Sequence, residues 1–208
     1  MATDNEMDVF AAYENDAEPN PVMALPAWVQ QKYIGCLLGG AVGDALGAPV
    51  EFMSAASIRH RFGPVGIQEF VPAFGKLGAI TDDTQMTLFT AEGLLRSRFS
   101  KFKPTLPELR VYVAKAYHRW LHTQGYKHEL HAGICNGWLM EHEELFSRRA
   151  PGNTCLSGLQ GMRAPSDLAS NHSKGCGGVM RVAPIGMYFA SLCRHHEDQQ
   201  PEFLRDCL

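Results

Sequence analysis

The chain has 208 residues, a formal net charge of -3, 45% hydrophobic and 20% charged residues. That length suits one substantial core and a single domain, and the charge balance supplies no overall basic field, which argues against nucleic acid as a direct ligand. Six cysteines are spread from Cys36 to Cys207 without a C-x-x-C pair; together with the lack of a basic-then-apolar leader or a bilayer-length apolar run, this predicts a cytoplasmic, thiol-reduced protein with no membrane partner.

Residues 1–26 carry Asp4, Glu6, Asp8, Glu14, Asp16 and Glu18 with no lysine or arginine, followed by Pro19, Pro21 and Pro26. Such a segment is predicted to be a disordered acidic tail ahead of a helical domain over 27–208. From Trp28 to Gly47 a helix is expected, with Gly35, Gly39, Gly43 and Gly47 on nearly one face. Glycine disfavours a helix interior by about 1 kcal/mol, so the stripe predicts close approach of a neighbouring backbone or a ligand. Pro49 stops the helix and leaves Glu51 just beyond it. Between Phe52 and Ile80, Gly63-Pro64, Gly66, Pro72, Gly75 and Gly78 read as a long loop with little regular structure.

The chain is organised around Thr81-Asp82-Asp83-Thr84 at the mouth of an apolar helix that begins near Met86. Asp82 or Thr81 suits its N-cap, and Asp82 with Gln85 approximates a capping box. Adjacent carboxylates repel unless a cation or solvent lies between them, and the three hard oxygens of Thr81, Asp82 and Asp83 suit magnesium, manganese or calcium rather than zinc. Capping and metal binding both remain open on spacing alone.

Thr105 and Glu108 form a capping box for an amphipathic helix through Leu121. His118 and His122 share one side of it, about 100° on from Tyr117 and Leu121, and are expected to face solvent. A shorter helix is expected over Gly137–Ser147, with Trp138, Leu139 and Leu145 inward and Arg148-Arg149 satisfying carbonyls at its end. Asn153 or Thr154 caps the next helix. In Ser173-Lys174-Gly175-Cys176-Gly177-Gly178 the glycines allow close backbone approach to a ligand, and Ser173, Lys174 and free N–H groups suit a phosphate. Pro184 can start or kink the apolar helix that follows.

Four motifs in order, Gly35 to Gly47 with Pro49 and Glu51, Thr81 to Thr84, Arg149 to Leu156, and Ser173 to Gly186, resemble the ADP-ribosylglycohydrolase family of the dinitrogenase-reductase-activating type. The resemblance implies an all-α, single compact helical domain. It also implies a centre of two Mg2+ or Mn2+ ions, hydrolysing the bond between ADP-ribose and a protein side chain or small acceptor. On that pattern Thr81, Asp82 and Asp83 are metal ligands, Glu51 and Asp83 the catalytic carboxylates, and Ser173, Lys174, Gly175, Cys176, Gly177 and Gly178 the substrate-binding loop; Asp44 lies in the same signature. The partners implied are an ADP-ribosylated protein or a small ADP-ribosyl compound.

Two departures stand out. Many members carry an aspartate near the Gly-Asn-Thr segment, where this chain has Ala150-Pro151, and the family's downstream Asp-x-Asp motif is not reached before Leu208. The expectation is a half-built metal centre holding one ion or none. The alternative to a hydrolase is an inactive, truncated remnant or a weak ADP-ribose-binding module.

Overall fold

The computed structural model describes residues 26–100 and 104–194. The acidic tail up to residue 25 and residues 195–208 lie outside the described residues. Among those described, helices dominate: α1 (Ala27–Gly47), α2 (Ala55–Phe62), α3 (Asp82–Arg98), α4 (Leu106–Thr123), α5 (Asn153–Gln160) and α6 (Ala183–Arg194). The only sheet among them is a hairpin of β1 (Pro72–Ala73) and β2 (Lys76–Leu77), antiparallel with Pro72 opposite Leu77. Phe74 and Gly75 both have positive φ there, 49° and 76°, which turns the chain tightly between two short strands. The fold is all-α, as the motifs implied. No described helix is long and apolar enough to cross a membrane.

The expected irregular stretch after Phe52 contains α2. Ser54 caps it by accepting the Ser57 N–H at 3.1 Å, and its chain ends at Gly63, φ 86°. No residue of α2 is buried, so no apolar stripe marks it; the capping serine was its one sequence signal.

Helices α3 and α4 form the centre. Met86 and Phe89 of α3 pack with Ala116, Trp120 and Leu121 of α4 and with Leu139, Leu145, Cys155, Leu156, Leu159 and Met162. The close approach is made at Gly93, where a Cβ would meet the Val113 Cα at 2.8 Å. Glu92 and Gln85 inside this contact are paired: Glu92, fully buried, accepts from Arg119 Nε at 2.9 Å and Arg96 Nε at 3.3 Å, and Gln85 Oε1 accepts from Trp120 Nε1 at 3.2 Å and Gln124 Nε2 at 3.1 Å. Pairing is required because an unmet polar group in such a place costs about 1–3 kcal/mol.

Four expectations are corrected by this packing. The α1 glycines Gly35, Gly39, Gly43 and Gly47 meet no protein atom within 4 Å of where a Cβ would stand, so no neighbouring backbone approaches them; the helix contact that requires glycine is at Gly93. His118 is completely buried and His122 half-buried, because residues 128–135 fold over that side of α4. The segment 137–147 makes two 3-10 turns, Trp138–Glu141 and Glu143–Leu145, rather than an α-helix. Leu139 and Leu145 are buried as expected, but Trp138 is 38% exposed. Gly137 starts this segment at φ 107° against the side chains of Arg96 and Glu92, which leave no room for a Cβ. Finally, Gly152 rather than Asn153 or Thr154 holds the N-cap position of α5, one residue earlier than expected.

Candidate functional site

Thr81 is the N-cap of α3 and its Oγ1 accepts the Asp83 N–H at 3.3 Å. The position is held from α1. Asp44 accepts four hydrogen bonds, from Thr81 N (2.8 Å), Thr81 Oγ1 (2.7 Å), Thr84 N (3.1 Å) and Thr84 Oγ1 (2.6 Å). A carboxylate on orphan N–H groups at a positive helix end is doubly favoured. Asp44 therefore positions the Thr81–Thr84 loop. A third threonine, Thr87, reaches the Asp83 carbonyl at 2.8 Å and the Met180 carbonyl at 3.0 Å, tying α3 to the segment before α6. Thr81, Thr84 and Thr87 recur every three residues, a spacing that puts them on one helix side and was visible in the sequence.

A cavity of about 550 Å3 opens beside this loop, lined by Asp44, Glu51, Thr81, Asp83, Thr84 and Thr87 together with the glycine side of α1 and Cys176. Among the described residues, no lysine or arginine lines it. The carboxylates feel one another. Glu51 is raised above the usual carboxylate range by loss of solvent, then by the charges of Asp83 and Asp44. Asp83 is raised by burial, then by Asp44. Asp82 is pushed up to about 7, chiefly by burial, with Asp83 and Glu51 adding to it and the Gly152 N–H opposing it.

Asp82 sits differently from its neighbour. It is 4% exposed, does not line the cavity, and its Oδ2 accepts the Gly152 N–H at 3.2 Å. Its own N–H donates to the Arg149 carbonyl at 3.0 Å. Arg149 is buried and spends its guanidinium on the Ile80 and Glu144 carbonyls at 3.3 and 3.1 Å and on Ser147 Oγ at 3.2 Å. It satisfies carbonyls, as expected. Ala150 beside it has φ 56°, a left-handed conformation that aspartate or asparagine tolerates better than alanine.

Residues 26–205 match the ADP-ribosylglycohydrolase family. The chain belongs to that family. Among its relatives, an uncharacterized protein of Archaeoglobus fulgidus is 34% identical over 167 residues, covering 77% of this chain and 44% of the relative. The uncharacterized protein YegU of Escherichia coli is 25% identical over 166 residues, 75% of this chain and 41% of YegU. The ADP-ribosyl-[dinitrogen reductase] glycohydrolase of Rhodospirillum rubrum is 43% identical over 70 residues, 32% of this chain and 23% of that enzyme. The chain thus spans less than half the length of the curated relatives it matches. No solved structure matches it.

Within this glycohydrolase-family domain the segment expected to bind substrate is divided. Cys176 is exposed and lines the carboxylate cavity. Gly177 and Gly178 line a neighbouring, largely apolar cavity of about 450 Å3 between α4, α5 and α6. Ser173, Lys174 and Gly175 line neither. The loop is fastened to α5: Thr154 Oγ1 donates to Ser173 Oγ at 2.6 Å, and Asn171 Nδ2 donates to the Thr154 carbonyl at 2.9 Å. Gly175 packs on Thr154 and Gly177 on Cys155 so closely that neither leaves room for a Cβ. The small residues here let the loop lie against α5, a role that the phosphate reading did not include.

Proposed function

We propose that this domain carries out metal-dependent hydrolysis of the glycosidic bond between ADP-ribose and a protein side chain or small acceptor, with the chemistry at the carboxylate cavity. The observation that supports it is the convergence of Glu51, Thr81 and Asp83 on a single cavity that, among the described residues, has no basic side chain in its lining. Unbalanced, partly buried oxygen donors fit a hard divalent cation, Mg2+ or Mn2+. Thr81 and Asp83 line the cavity and would hold it, and Asp82, the third ligand that the resemblance implies, would have to turn from the Gly152 N–H to join them. Bound there, such an ion supplies charge that orients ribose hydroxyls and lowers the pKa of water.

The chain's own residues have distinct tasks. Asp44 keeps the loop rigid through its four accepted hydrogen bonds. Glu51 and Asp83 are the proposed catalytic carboxylates, since both line the cavity and burial raises both above the usual carboxylate range, which favours proton exchange. The glycine side of α1 leaves space for a planar or sugar ring to lie against the backbone. Ser173 to Gly178 borders the cavity through Cys176, and the proposed substrate class is an ADP-ribosylated protein or small ADP-ribosyl compound.

A binding role without turnover is the second reading. It is favoured by one observation: among the described residues, the acidic side chains do not bring three donors together, and the only group of three His, Cys, Asp or Glu ligands is elsewhere. Two measurements separate the readings. Calorimetry with Mg2+ or Mn2+ and ADP-ribose should show binding that Asp82→Ala/Asp83→Ala abolishes. Chelator-sensitive release of ADP-ribose from arginine-linked or serine-linked substrates then marks a hydrolase, and binding without release marks the module. Binding unchanged in the double variant would sink both.

A further inference from the structure

Along the second half of α4 and the segment that follows it, four ligand-type side chains occur in the pattern His118-x3-His122-x8-His131-x3-Cys135. His122, His131 and Cys135 each offer one ligand atom, and these atoms lie within 4.8 Å of one another. His118 stands one helical turn before His122, and its ring centroid is 5.8 Å from that of His131. We propose that His122, His131 and Cys135, completed by His118, form a metal site for a zinc-class cation, separate from the carboxylate cavity.

The strongest support is unmet hydrogen bonding. His118 is fully buried, and neither Nδ1 nor Nε2 has a partner; His131 Nε2 is also buried without one. A core imidazole with a purely packing role normally pairs at least one nitrogen, and an unmet pair is the signature of a missing ion or water. His128 next to them shows the contrast. Its Nδ1 accepts the Leu130 N–H at 3.1 Å and its Nε2 meets the Gln160 carbonyl at 3.3 Å, so it walls the site at 4.8 Å from His118 and is not a ligand.

Donor chemistry selects the cation. Two or three imidazoles and a thiol suit zinc, whereas magnesium and calcium take oxygen. Tetrahedral zinc places its donors about 3.5–4 Å apart, so the side chains need to close by roughly 1 Å. The backbone that carries them is already anchored. Arg96 donates to Asn136 Oδ1 and to the Asn136 carbonyl at 3.2 and 3.1 Å, and Arg119 donates to the Ile134 carbonyl at 3.4 Å. His122, His131 and Cys135 are only half-buried, which leaves the ion a way in. With all four positions taken by protein, the site is structural: it staples residues 128–135 to α4.

Cobalt(II) added to the metal-free 208-residue chain is the test. The expected result is one equivalent bound with the intense visible bands of tetrahedral cobalt and a thiolate charge-transfer band, displaced by zinc and retained in Asp82→Ala/Asp83→Ala. Cys135→Ser should lose the charge-transfer band, and His122→Asn should weaken zinc binding by at least the ~100-fold that loss of an outer-shell partner can reach. Circular dichroism of each metal-free variant checks the fold, and either variant that folds decides the matter. No tetrahedral spectrum with the parent chain, or a spectrum undiminished in the folded variant, overturns the proposal.

Discussion

The carboxylate cavity and the histidine–thiol cluster share no residue and are built in opposite ways. At the first, oxygen donors stand on a loop whose polar groups are met: Asp44 alone accepts four hydrogen bonds from Thr81 and Thr84. At the second, the backbone is anchored by Arg96 and Arg119 while both His118 nitrogens and His131 Nε2 are unmet. One site is preorganised by its neighbours and left charged; the other is preorganised by its neighbours and left thirsty for a partner. Charge repulsion and unmet hydrogen bonding are two distinct ways of storing affinity for a cation.

The largest expected effect comes from removing the carboxylate loop's support. Asp44→Ala deprives two backbone N–H groups and two hydroxyls of their acceptor and should cost about 3 kcal/mol or more in urea unfolding. Cobalt coordination at the histidine cluster should persist wherever that variant is folded. A loss below about 1 kcal/mol would show that water replaces Asp44 readily and that the loop is not held as described.

Next comes the contact that both sites rest on. Gly93→Ala places a methyl 2.8 Å from the Val113 Cα, so α3 and α4 must separate. The expected cost is about 1–3 kcal/mol, read as a lower melting temperature, with both metal responses weakened together. An unchanged melting temperature would mean the helices part without penalty.

A smaller effect distinguishes the sites by pH in metal-free protein. Asp82 has its folded pKa raised from 3.8 to about 7, so the folded state holds its proton more tightly than the unfolded chain. Its contribution to stability is full below about 3.8 and is lost as pH rises through about 7. Glu51 and Asp83 are raised too and act in the same direction. Melting temperature in chelator should therefore fall as pH rises from 5 to 8, and Asp82→Asn should flatten most of that fall. An equal slope in Asp82→Asn would move the effect elsewhere.

The smallest expected change concerns the two thiols. Cys176 is exposed at the carboxylate cavity, so Cys176→Ser should leave stability within about 0.5 kcal/mol and Mg2+ binding intact. Cys135→Ser should be just as mild in chelator but should remove the stabilisation by zinc that the parent chain shows. Equal behaviour of the two variants with zinc present would erase the distinction between the sites.

Much of the architecture was legible without coordinates. The α1 boundary at Gly47, the α3 start at Thr81–Asp82 and the Thr105–Glu108 capping box all rest on local chemistry within a few residues, and all were found where expected. The family followed from four short motifs in order. Less legible was anything decided by a distant neighbour. Asp44 looked like one acid in a glycine-rich helix, and only the meeting of α1 with α3, 37 residues on, made it the support of the loop. Likewise nothing local separates Asp82 from Asp83, yet the Gly152 N–H takes one and the cavity receives the other.

The glycines and histidines mark the boundary most clearly. Sequence alone determined where the chain can bend, which residues can ligate and in what spacing, because backbone freedom and donor type belong to each residue. It also placed His118 and His122 on one side of α4. Which surface of that helix is covered was decided only when residues 128–135 folded across it and drove His118 from expected solvent to complete burial. In the same way the crowded glycines proved to be Gly93, Gly137, Gly175 and Gly177 rather than any of the α1 stripe, since a Cβ is forbidden only by the atoms that distant parts of the chain bring within reach. Burial is a property of the pair of surfaces, and periodicity describes only one of them.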